Sequence, residues 1–128
     1  MKLASIDVGL KRIGVAICLT SDIVTPQAAI LRKNRNQAAR DVNIFLKEWE
    51  IEKLIVGFPS ASIDMQNRIN HFVSLLELKI PYEFCEENMS SIEAEEMMKG
   101  EIKYKRDGRI DSLAAKIILE RYLTKKIS

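Results

Sequence analysis

The chain has 128 residues, with 20 Lys plus Arg against 18 Asp plus Glu and a formal charge of +2. That length suits one domain, and the near-balanced charge excludes both a polybasic tail and an acidic disordered segment. A 47% hydrophobic share supplies a core, and no stretch approaches the roughly 18 consecutive apolar residues that a membrane span needs.

Cys18 and Cys85 make no CxxC pair, so neither a zinc knuckle nor a redox motif is indicated, and both sit in apolar runs that suit buried free thiols. The opening residues MKLASIDVGL lack the apolar core of a signal peptide. A cytoplasmic location without a membrane partner is the expectation. His71 is the single histidine, which argues against His-based triads and His-rich metal sites. Chemistry here falls to carboxylates, lysines, serines or the backbone.

Residues 2–8 (KLASIDV) read as a first strand. Gly9 and the basic pair Lys11-Arg12 link it to a second strand over 13–19, a hairpin pattern. Residues 24–31 supply a third strand, with Pro26 favouring a sheet edge or a strand start. From Asn36 to Trp49 the period becomes helical, with Ala38, Ala39, Val42, Phe45, Leu46 and Trp49 on one face. Lys53–Phe58 is a continuous apolar run, as a central strand covered on both faces would be. Residues 63–78 are helical through Ile69, Phe72, Val73 and Leu76, and 81–85 (PYEFC) read as a short strand. Ser90-Ser91-Ile92-Glu93 resembles a capping box opening a helix that ends near Gly100. Charged residues 101–109 form a loop, and Ile110, Leu113, Ala114, Ile117 and Ile118 mark a last, amphipathic helix. The fold class is α/β: a mixed sheet flanked by helices.

Three places put acid at an element end: Asp7 lies near the end of the first strand, Glu86-Glu87 follow PYEFC, and Asp111 opens the last helix. If PYEFC lies parallel and adjacent to the first strand, their C-terminal ends share the edge where open α/β sheets bind ligands. Each acid alone has an ordinary reading as a turn or cap residue. Period-2 alternation sends Glu86 and Glu87 to opposite faces, so one of them at most joins the site. Three converging carboxylates repel unless a cation joins them, and their hard oxygens suit Mg²⁺ or Mn²⁺. Such ions activate water against a phosphodiester without histidine.

Asp7-Val8-Gly9-Leu10-Lys11-Arg12-Ile13-Gly14-Val15-Ala16 resembles the opening motif of the YqgF/RuvX family. Ile55-Val56-Gly57-Phe58-Pro59, Glu86-Glu87-Asn88-Met89-Ser90-Ser91 and Ile110-Asp111-Ser112-Leu113-Ala114-Ala115 with Ile118-Leu119-Glu120 agree with its later motifs in order and spacing. The resemblance spans essentially the whole chain. It implies an RNase H-like three-layer fold over residues 1–128 with a five-stranded mixed sheet. It also implies a divalent-metal nuclease related to Holliday junction resolvases and linked to pre-16S rRNA processing. Carried over by position, Asp7, Glu87 and Asp111 would hold Mg²⁺ or Mn²⁺ and be catalytic. Ser90 and Ser91, with Lys11 and Arg12, would contact nucleic acid. The substrate implied is structured RNA, within a ribosome precursor, or branched DNA. Whether the chain acts as a monomer or a dimer stays open, as does a non-catalytic RNA-binding role. The chain departs from the family in Ser60–Gln66, which lacks the usual glycine, in Asn88 for Arg, and in Glu86 for Asp.

Overall fold

The computed structural model describes residues 1–20, 22–86 and 109–127, the stretches 109–111 and 126–127 as backbone only. The elements are β1 (Leu3–Val8), β2 (Arg12–Cys18), β3 (Thr25–Leu31), α1 (Arg35–Glu48), β4 (Lys53–Phe58), α2 (Ile63–Leu76), β5 (Tyr82–Glu86) and α3 (Arg109–Ile127). The bounds given in the sequence reading agree to within a residue or two; the shifts include α2, which stops two residues early, at Leu76, and α3, in which Arg109 is already helical. The expected helix over 90–100 and nearly all of the 101–109 loop lie outside the described residues.

The five strands form one sheet in the order β3-β2-β1-β4-β5. β1 and β2 form the expected antiparallel hairpin, with Asp7 opposite Gly14, and Pro26 does sit in an edge strand. β4 runs parallel to both β1 and β5. This corrects the expectation that the PYEFC strand adjoins β1: the apolar run of β4 lies between them. The reason is physical: of the two strands β4 and β5, β4 is apolar enough to be buried on both faces, while β5 carries exposed Tyr82, Glu83 and Phe84.

Alternation splits the core in two. On one face Ala4, Ile6, Val8, Leu54 and Val56 pack against Val42 and Leu46 of α1 and Ile69, Phe72 and Leu76 of α2. On the other, Leu3, Ala16, Cys18, Ile55 and Cys85 pack against Ala115, Ile118, Leu119 and Tyr122 of α3. Burial on α3 reaches round to Ile117 and Leu119, a broader contact than a single amphipathic stripe. Both cysteines are free and buried as expected, and burial raises both thiol pKa values.

Local chemistry explains the helix starts. Asn34 accepts from the Gln37 amide at 2.8 Å, and the Gln37 side chain reaches back to the Asn34 N–H, a complete capping box. Ser62 caps α2 by accepting from Met65 N at 3.3 Å. Among the described residues no helix is long and apolar enough to cross a membrane.

Candidate active site

Among the described residues, three polar or charged side chains are buried: Ser5, Asp7 and Ser112. All three belong to the interface between the β1–β2 end of the sheet and the start of α3. The Ser5 hydroxyl donates to the Ala115 carbonyl at 2.6 Å. Ser112 sits where the β2–β3 register shifts between Ile13 and Val15. Its hydroxyl donates to the Gln27 carbonyl and weakly accepts the Val15 N–H at 3.5 Å. It thus serves backbone groups that the irregular ladder leaves over. At the far end of the helix, Tyr122 accepts from Lys53 Nζ at 2.8 Å, beside the start of β4. The helix therefore runs antiparallel to β1 and brings its first turn to the strand's C-terminal edge.

Asp7 lies two residues beyond Ser5, on the same face of β1, and is only 8% exposed. Two strand residues advance about 6.6 Å. From Ala115 back to Asp111 is about 6 Å along a helix. The Ser5–Ala115 bond thus sets the backbone of Asp111 about level with Asp7 along the strand. Glu87 and both serines, Ser90 and Ser91, lie outside the described residues.

Glu86 goes elsewhere. Cys85 packs with α3, so Glu86 projects to the opposite face, where Ser60 donates to its Oε1 at 2.9 Å. Among the described residues no three acids, histidines or cysteines come together as a metal site. Of the acids expected to hold an ion, Asp7 is the one described with its side chain, and a carboxylate oxygen there would suit a hard dication. His71 lies exposed on α2, and Cys85 is turned to the Ile118 carbonyl at 3.7 Å.

The basic pair lies on the turn leaving Asp7. Gly9 N donates to the Arg12 carbonyl at 3.0 Å, and a Cβ at Gly9 would stand 2.5 Å from that oxygen, so the turn requires glycine. Lys11 is exposed and Arg12 half-buried. The turn is braced by Arg32, whose N–H donates to the Lys11 carbonyl at 2.9 Å and whose guanidinium donates to the Gly9 carbonyl at 2.8 Å.

Sequence reasoning passed over Ser5, Ser112 and Arg32. Ser5 gave a signal, being a hydroxyl inside an apolar strand two residues before the acid. Ser112 and Arg32 gave none, because their partners are distant in sequence.

A family model described as "RuvX: Holliday junction resolvase" matches residues 1–125. A protein of Sulfurovum sp. (strain NBC37-1), named "Putative pre-16S rRNA nuclease", is 66% identical over 127 residues, covering 97% of this chain and 99% of its own. One of the same name from Sulfurimonas denitrificans is 53% identical, covering 98% and 99%. In fold, the chain is similar to the fowlpox virus resolvase in complex with Holliday junction DNA, with a TM-score of 0.61, 16% identity and 100% of both chains covered. It is also similar to RuvC of T. thermophilus in complex with a Holliday junction substrate, with a TM-score of 0.59, 15% identity and 99% and 96% covered. The mixed sheet and its flanking helices are the RuvC-type, RNase H-like arrangement, and the chain belongs to the RuvX family of nucleases.

Proposed function

We propose that this nuclease hydrolyses phosphodiester bonds with divalent-metal help and acts in 5′-end processing of pre-16S rRNA. The observation that carries the reading is the buried Asp7, held level with the first turn of α3 by the Ser5–Ala115 bond. A carboxylate kept at a sheet edge beside a helix start is suited to holding a cation against a phosphate. The names of the relatives with 66% and 53% identity support the RNA substrate.

Asp7, Glu87 and Asp111 would hold Mg²⁺ or Mn²⁺, which supplies an activated water and neutralises charge on the leaving oxygen. Asp7 would be the fixed member, since its strand pairs with β2 through Asp7 itself and with β4 up to Ile6. The place of Glu86 beside Ser60, on the face away from α3, supports assigning the acidic role after β5 to Glu87. Lys11 and Arg12 would meet phosphates at the β1–β2 turn, and Ser90 and Ser91 would donate to the nucleic acid. The proposed setting is the cytoplasm, on a ribosome precursor.

The test is cleavage of a pre-16S rRNA end fragment, a matched single-stranded DNA and a four-way DNA junction, with Mg²⁺ or Mn²⁺, by the native protein and by Asp7→Asn. Metal-dependent cutting of the RNA, lost in the variant, is the expected result. Native-level cutting by Asp7→Asn would sink the assignment of that carboxylate. The family description favours a second reading, resolution of branched DNA. Cutting of the junction alone would establish that reading instead.

A further inference from the structure

We infer that Arg32, Arg35 and Arg68 form a cationic track that carries the phosphodiester backbone of the substrate away from Asp7, over the β1–β2 turn and onto the α1–α2 face. The inference rests on the nucleic-acid reading above.

Arg32 is its anchor. The guanidinium donates to the Gly9 carbonyl and lies over the Phe72 ring, 5.5 Å from its centroid. It is thereby fixed between the turn that follows Asp7 and the middle of α2. Arg68 precedes Phe72 by one helical turn and so shares its stripe of α2. Arg35 opens α1, three residues after Arg32, in a first turn that contains no acidic residue. Arg35 and Arg68 are both exposed.

This charge is poorly neutralised. Among the described residues neither Arg32 nor Arg35 forms an ion pair. Arg68 meets Asp64 at 3.5 Å, but that pair is open to solvent and contributes little. The Arg32 pKa is lowered, first by burial and then by the positive charges of Arg35 and Arg68. Crowding like charges beside a half-buried arginine costs stability in the free protein. A polyanion relieves that repulsion and releases its own counterions on binding. The ligand chemistry is the sugar–phosphate backbone common to RNA and DNA, whose phosphates the guanidinium groups would meet.

The experiment measures binding of fluorescein-labelled single-stranded RNA and of a labelled DNA duplex by anisotropy, across a salt titration, without divalent metal. The Asp7→Asn protein is the parent, so that no cutting intervenes. Arg35→Gln with Arg68→Gln removes two cations without touching the Arg32 brace. The slope of log affinity against log salt should become shallower by about 1.4–1.8, at about 0.7–0.9 per phosphate contact. The control is Lys47→Gln with Lys79→Gln, two cations lining a groove of about 620 Å³ at the far ends of α1 and α2. Its slope should match the parent. Thermal melts establish that each variant is folded. An unchanged slope in the arginine variant, or an equal loss in the lysine control, would overturn the track. The cleavage assay with Asp7→Asn reports separately on the nuclease reading, so either idea can fail while the other stands.

Discussion

Ser5 Oγ and the carbonyl oxygen of Ala115 lie 2.6 Å apart across 110 residues of chain. The bond fixes how far α3 slides along β1, and through that the level of its first turn against Asp7. Ser5→Ala should cost about 1 kcal/mol, the usual net value of one hydrogen bond. The Ala115 carbonyl keeps its own helical environment, which limits the loss. Urea unfolding of the variant beside the native protein measures it.

Ser112→Ala should cost more, about 1–3 kcal/mol, because it strips a partner from the Gln27 carbonyl and the Val15 N–H inside the sheet. Ser112→Thr keeps the hydroxyl but adds a methyl where the side chain is only 1% exposed. It should recover less than half the loss. The ranking of native, Thr and Ala in midpoint temperature checks this.

Gly9→Ala should be destabilising by about 1–3 kcal/mol, the range for forcing volume into a filled site. The new methyl would meet a backbone oxygen at 2.5 Å, and a carbonyl in a bonded turn cannot rotate away as a side chain can. A Gly9→Ala protein as stable as the native one would show that the turn opens at little cost.

Lys53 gives a pH-dependent contribution. Its pKa is raised from 10.5, first by the hydrogen bond to Glu83 and then by the one to Tyr122. A raised value in the folded state favours folding fully below 10.5, and the benefit fades as pH climbs through the raised value. Lys53→Gln should therefore be less stable than the native protein by about 1 kcal/mol at neutral pH. The gap should close in strongly alkaline solution. Paired denaturation curves at neutral and alkaline pH test the sign.

The thiols of Cys18 and Cys85 should resist modification while the protein is folded. Burial raises both pKa values, which lowers the thiolate fraction, and shields the sulfurs from reagent. A disulfide reagent at mildly alkaline pH should titrate two thiols in denaturant and react only slowly without it. Rapid native labelling would indicate local opening along α3, which covers both sulfurs' side of the sheet.

Much of this architecture was legible from periodicity. Alternation and apolar runs marked every described strand, and the i, i+4, i+7 spacing marked α1 and α2. Strand neighbours were not legible, because an apolar run states how buried a strand is and not what it lies beside. Hence PYEFC reads as readily beside β1, the place that β4 takes. The acids Asp7 and Asp111 were visible as chemistry at element ends. The partners of the buried serines were not, since Ser5 meets Ala115 and Ser112 meets Gln27 and Val15 only once α3 packs on the sheet. The place of Glu86 beside Ser60 was not legible either, since it depends on which face of β5 Cys85 takes.

Synthesis from the N-terminus gives the distance between Ser5 and α3 a temporal meaning. β1, β2 and their hairpin leave the ribosome early and can pair at once, since their contacts are local. The helix that packs beside Asp7's edge is made after all five strands. Until α3 emerges, the chain can hold Asp7 in a paired hairpin, but the buried hydroxyl of Ser5 has no helix carbonyl to meet.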